Sequence, residues 1–159
     1  MALCQQYANL LKAPIGIDSA QLLWAIAGKE TSFGRRCIPR HENSYCYGSK
    51  NYRADKMLRD LTETYGCVAH CSYGPWQIMF YNAYSLNRNL DPIILMTDAA
   101  ACADITTMMM NVIFSRQQPN NVRDFADAWN SGSMKDDFQP IAYMDAVEQF
   151  YKSNQRTDA

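Results

Sequence analysis

The chain has 159 residues, 48% of them hydrophobic and 19% charged, which fits one ordinary globular domain and excludes a disordered or low-complexity protein. Fifteen basic against sixteen acidic residues leave a net charge of -1, so nothing in the charge favours nucleic acid or an anionic membrane as partner. No apolar run approaches the roughly 20 residues that span a bilayer. The opening MALCQQYANLLKAPIG lacks the basic segment, long apolar stretch and cleavage site of a secretory signal.

Helical signals dominate in chain order. The first strong one covers Ser19 to Phe33: Asp18 suits the N-cap, Gln21 follows three residues later as in a capping box, and Ile17 with Leu22 forms a hydrophobic staple. Gly34 is the expected left-handed stop. The apolar stripe reads Leu22, Leu23, Ile26, Ala27, then Glu30, then Phe33. A second helix is predicted over Tyr52 to Tyr65, ended by Gly66, followed by the loop CVAHCSYGPWQ. A third starts near Gln77 or Ile78 and carries Met79, Ala83 and Leu86. Asp91-Pro92 reads as N-cap and N1 of a short helical turn. The longest helix is predicted from Asp98 to Ser115, capped by Thr97, with Cys102, Ile105, Met109 and Val112 inward. Two more follow, near Val122 to Asn130 and Ile141 to Tyr151. No repeat or linker divides the chain, so a single, mostly helical domain spanning 1-159 is expected.

Six cysteines are many for a chain of this size: Cys4, Cys37, Cys46, Cys67, Cys71 and Cys102. Their even number favours disulfides and an oxidising destination, with connectivity left open. Cys37, His41, Cys46, Cys67, His70 and Cys71 crowd one stretch that holds both histidines, so zinc and free buried thiols stand as alternatives.

Glu30 breaks the apolar stripe. Burial of a lone carboxylate raises its pKa, and a carboxylic acid kept protonated near neutral pH is what general-acid cleavage of a glycosidic bond uses. The competing reading is a stripe-edge glutamate that reaches solvent or caps a neighbour.

Four segments carry a resemblance. LLWAIAGKETSFG resembles the first motif of the soluble lytic transglycosylase and goose-type lysozyme superfamily, an apolar helix that delivers the catalytic glutamate; Leu22, Ala25, Ile26, Ala27, Glu30 and Phe33 match, and Thr31 replaces the usual serine. YGPWQIMF looks like the G-L-M-Q-I-M turn at Gly74, Gln77, Ile78 and Met79, with Pro75 and Trp76 in place of Leu-Met. FADAWNSGS is similar to the A-x-A-Y-N-A-G motif, with Trp129 in place of the tyrosine. LDPIILMTDAAACADITTMMM resembles the connecting helix, and Tyr143 falls where the family has a cleft tyrosine.

The resemblance implies a lysozyme-like helical fold with a cysteine-rich insertion at about 35-72, and cleavage of a β-1,4-linked chain containing N-acetylglucosamine. Glu30 would be the acid/base residue, with Trp76, Gln77, Asn130 and Tyr143 as substrate-binding residues and no cofactor. Trp76 as a core residue, Gln77 as a helix cap and Asn130 as an ordinary helix-end residue are the competing readings. The implied partner is peptidoglycan or chitin oligomers, met by a monomer outside the cell or in the periplasm, through secretion or on a virus particle.

Where goose-type enzymes carry an aspartate after the Gln-Ile turn, this chain has Met79 and Phe80. With one evident acid, the expected product carries a 1,6-anhydro end. Glu42, Asp55, Asp60 and Glu63 are the acids of the insertion that would restore hydrolysis, including that of chitin. A non-catalytic wall-binding protein of the same fold and a small zinc-stabilised interaction domain are the other classes the residues leave open.

Overall fold

The computed structural model describes residues 1–134 and 140–154. Helix α1 (Ala2–Ala8) is followed by α2 (Ser19–Thr31), β1 (Arg40–His41), a 3-10 turn (Asn43–Tyr45), α3 (Lys50–Ala54) and α4 (Lys56–Tyr65). A second 3-10 turn (Gly66–His70) leads into β2 (Cys71–Tyr73) and β3 (Ile78–Met79). Helices α5 (Phe80–Leu86), α6 (Pro92–Thr97), α7 (Ala99–Gln117), α8 (Val122–Ser131) and α9 (Ile141–Asn154) complete the described chain. The protein is mostly helical. Its three short strands form one antiparallel sheet in the order β1-β2-β3, with Arg40 opposite Ser72 and Ser72 opposite Met79.

Helix α2 lies at the centre, packed on α1 and α9. Its apolar stripe explains the position: Leu22, Leu23, Ala25 and Ile26 are all at most 1% exposed. Asp18 accepts the Gln21 backbone N–H at 2.9 Å, as its cap position requires, but the Gln21 side-chain oxygen is buried without a partner, so the reciprocal half of the capping box is not made. The Asp18 backbone N–H donates to the Tyr151 hydroxyl at 2.8 Å, tying the start of α2 to α9.

The end of α2 differs from expectation. Ser32, Phe33 and Gly34 are consecutively left-handed, with φ of 53°, 63° and 80°, so the helix stops at Thr31 and not at Phe33. The Phe33 ring then folds back, stacks on Trp24 at 4.4 Å, and fills the space above Gly28, where a Cβ would meet it at 2.5 Å. Aromatic packing of this kind is what holds two non-glycine residues in a costly backbone region.

Other boundaries shifted for identifiable reasons. The helix expected over Tyr52 to Tyr65 is two helices, because Asp55 is extended and caps the second through the Leu58 N–H at 3.0 Å. Ile78 and Met79 pair with β2 instead of opening a helix. Helix α7 is capped by Asp98 and not Thr97; its buried face holds Cys102, Ile105 and Met110, while Met109, packed against the core, and Val112 are half-buried. Asp91 and Pro92 start α6 as expected. All six cysteines are free thiols, so the disulfide stapling expected of the insertion is not formed here. Among the described residues, no helix is long and apolar enough to cross a membrane.

Candidate active site

A cleft of about 760 Å³ opens between the β-sheet side of the insertion and the pair α7–α8. Its wall includes Glu30 from the last turn of α2, Arg40 and Glu42 around β1, and Gln77 and Met79 around β3. Across from them stand Met109, Val112, Ile113 and Arg116 of α7, and Trp129 and Asn130 of α8.

Glu30 reaches this cleft with its side chain only 8% exposed. Thr31 anchors that turn of helix: its hydroxyl donates to Pro75 O at 2.7 Å and accepts the Gly34 N–H at 2.9 Å, locking the end of α2 to the β2–β3 hairpin. Tyr143 of α9 donates to Glu30 Oε1 at 2.7 Å, and Arg40 Nη1 stands 3.4 Å from Oε2. Burial pushes the Glu30 carboxyl above its ordinary range, and it prevails over the opposing pull of the Tyr143 hydroxyl and of Arg40. The same burial, reinforced by the neighbouring carboxylate, raises the Tyr143 phenol well above its usual value, so that hydroxyl stays a proton donor.

Arg40 joins Glu30 to a second carboxylate. Its Nε donates to Glu42 Oε1 at 2.7 Å, and Ser72 Oγ donates to the same oxygen at 2.8 Å. Both bonds end on Oε1, and among the described residues Oε2 has no hydrogen-bond partner. Arg40 thus bridges the two acids across the cleft wall, 3.4 Å from Glu30 and 2.7 Å from Glu42. Arg40 and Glu42 share a face because they are two apart in extended backbone.

The remaining insertion acids stand elsewhere. Asp55 caps α4 and accepts the Tyr81 hydroxyl at 2.5 Å, a bond that holds its carboxyl below the usual range. Asp60 pairs with Lys56 at 2.6 Å in solvent, and Glu63 is exposed. Neither these two nor Asp55 lines the cleft.

The expected substrate-binding residues divide. Trp76 is 2% exposed and its indole N–H donates to Leu23 O at 2.8 Å, so it is a core residue that fixes the hairpin to α2 and offers no ring face to a sugar. Gln77 borders the cleft, yet its side chain is spent internally: Nε2 donates to Gly74 O at 3.1 Å and Ile38 O at 3.4 Å, and Oε1 lies 3.1 Å from Ser72 Oγ. It holds the turn, in left-handed backbone at φ 49°, and its Oε1 competes with Glu42 for the single Ser72 hydroxyl proton. Asn130 is exposed at the cleft rim, on a segment held where Gln117 bonds Gly132 O at 2.9 Å and the Met134 N–H at 2.8 Å. Tyr143 acts on Glu30 from behind, itself 9% exposed.

The aromatic wall expected at position 76 is supplied by half-buried Trp129 instead, with Tyr45 on the facing side. The outward face of α7 and Arg40 were not anticipated either. A period-2 signal did exist in Arg40-x-Glu42, but a two-residue strand is too short to stand out in a sequence. No protein-family model matches the chain, and no curated protein or solved structure is significantly similar to it.

Proposed function

We propose that this protein cleaves β-1,4-glycosidic bonds of peptidoglycan, with Glu30 as general acid, on a variant of the lysozyme-like fold. The observation that carries the reading is the Glu30 environment: a carboxyl buried at the wall of an open cleft, raised by desolvation and aimed by a phenol. Such a group keeps its proton to higher pH than an ordinary carboxyl and can deliver it to a glycosidic oxygen as the bond breaks. A wall-binding protein has no use for that arrangement, because a buried acid costs stability.

Glu42 changes the expected product. The 1,6-anhydro end followed from the absence of a second acid, whereas Glu42 sits in the cleft with one oxygen held and the other free for a water. Hydrolysis is therefore the favoured course: Glu30 protonates the leaving oxygen, and Glu42 takes a proton from the attacking water. Arg40 keeps both acids in place and offsets their charge.

Arg116 favours peptidoglycan over chitin. It lines the cleft without a hydrogen-bond partner among the described residues. Peptidoglycan offers a carboxyl-bearing substituent to such a cation, while chitin is uncharged. The natural site of action is then the cell wall, outside the cell or in the periplasm.

Mass spectrometry of products from purified peptidoglycan and from chitin oligomers tests the proposal. Reducing ends from peptidoglycan, bearing one added water, are the expected result. Predominantly 1,6-anhydro ends would return the reaction to the transglycosylase course, and intact polymers in both samples would remove the enzymatic reading.

A further inference from the structure

His41 alternates with Arg40 and Glu42 along β1, so its side chain leaves the strand on the side away from the cleft acids. There it meets Cys46, just beyond the first 3-10 turn, and His70, the last residue of the second. One ligand atom from each residue falls within 4.8 Å of the other two. We propose that His41, Cys46 and His70 form a zinc site in the insertion, with a water completing a tetrahedral set.

The donor chemistry fits, and the three ligand atoms, within 4.8 Å of one another, need only draw in on a shared ion. Two imidazoles and one thiolate suit zinc, a borderline-soft ion bound by nitrogen and sulfur. Bonds of about 2.0–2.3 Å at the tetrahedral angle put neighbouring ligand atoms about 3.5 Å apart. Cys46 Sγ already stands 3.4 Å from His41 Nε2. The histidine rings face edge to plane at 6.1 Å, so neither ring blocks the other's approach.

His70 is also prepared from behind. The Thr62 hydroxyl lies 2.7 Å from Leu58 O and 2.8 Å from His70 Nε2. With Nε2 engaged there, Nδ1 is the ring nitrogen left for a metal, the outer-shell arrangement common to metal-binding histidines. His70 is 4% exposed, which fixes its position before any ion arrives.

Binding is a proton exchange without redox change: the Cys46 thiol releases its proton to solvent as sulfur bonds the ion, and both imidazoles bind neutral. Bound zinc ties β1 to the turn that enters β2 and so braces the strand that presents Arg40 and Glu42.

The test uses the full chain purified without reductant or chelator, equilibrated with Zn²⁺ and freed of excess, with zinc counted by elemental mass spectrometry. About one zinc per chain is expected for wild type and for Cys37→Ser, whose thiol lies outside the cluster. Affinity falls by more than about tenfold in Cys46→Ser and in His41→Ala, larger than the low end of losing an outer-shell partner. His41 is exposed, so that variant keeps the fold. Co²⁺ in place of zinc gives a thiolate charge-transfer band in wild type that is absent in Cys46→Ser. Less than a tenth of a zinc per chain, equal affinity in Cys46→Ser, or Cys46 recovered in a disulfide would each overturn the site. None of these readings depends on glycan cleavage.

Discussion

The Tyr143 hydroxyl donates a 2.7 Å hydrogen bond to Glu30 Oε1, joining residues 113 apart in the chain. The bond opposes the desolvation that raises the Glu30 pKa, because a donor stabilises the ionised acid. Tyr143→Phe is therefore expected to raise the Glu30 pKa further, and the alkaline limb of kcat/KM moves to higher pH. The loss of a hydrogen bond to a charged group costs about 1.5–3 kcal/mol of stability where that group is ionised. An alkaline limb that stays put or moves down would show that the phenol does not tune this acid.

Glu30→Gln removes the transferable proton while keeping an oxygen for Tyr143. Cleavage is expected to fall by about 10²–10⁴-fold or more. The fold should gain stability at neutral pH, with the sign set by linkage. A carboxyl raised in the folded state contributes most below its unfolded pKa, about 4.3, and that contribution is lost as pH rises through the folded value. The melting temperature of the variant should therefore exceed wild type at pH 7 and converge on it at the lowest pH. A variant keeping a tenth of wild-type turnover would remove Glu30 from the chemistry.

Glu42→Ala deletes the oxygen that Arg40 and Ser72 hold. Hydrolysis of peptidoglycan should drop by about 10²-fold or more, with any residual product shifting to 1,6-anhydro ends. Asp60→Ala and Glu63→Ala lie outside the cleft and should stay within about twofold of wild type, as surface changes do. Equal losses at all three positions would deny Glu42 a special role.

Arg116→Ala separates the two polymers. The expected result is a several-fold rise in KM on peptidoglycan fragments with chitin oligomers unaffected, since only the former offer a carboxylate to the cleft cation. A single exposed charge contact contributes about 0.2–1 kcal/mol, which sets the scale. Parallel losses on both would place Arg116 in general sugar binding.

Much of the helical order is readable in the residues. Asp18, Asp91 and Gly66 act where their capping and turn chemistry places them, and the α2 stripe points Glu30 inward. The sheet is not readable, because strands of two or three residues carry too little alternation. Trp76 shows the limit at the site: a motif position gives its place in the chain, but only the indole bond to Leu23 O reveals that the ring faces the core. Glu42 was one of four equal acids in the sequence and is distinguished only by Arg40 and Ser72, which tertiary folding brings to it.

Gly74→Ala tests the hairpin turn. An added Cβ would stand 2.4 Å from Cys102 Sγ and 3.2 Å from Leu95 O, in backbone at φ 72°. Cys102 cannot yield, being 0% exposed in α7. Overpacking of this kind typically costs about 1–3 kcal/mol, seen as an earlier denaturation midpoint. An unchanged midpoint would mean that the hairpin and α7 separate more easily than their contact implies.

The Tyr143–Glu30 bond has a consequence for when the protein becomes active. Glu30 lies on an early helix and Tyr143 on the last one described, so a growing chain carries its acid long before the group that aims it. Until α9 docks on α2, Glu30 lacks the hydrogen bond from Tyr143. A chain that has not yet made α9 therefore lacks the phenol that aims Glu30, and the proposed site is assembled only when the tertiary structure closes. Under the proposed function, this delays attack on an envelope until folding is complete.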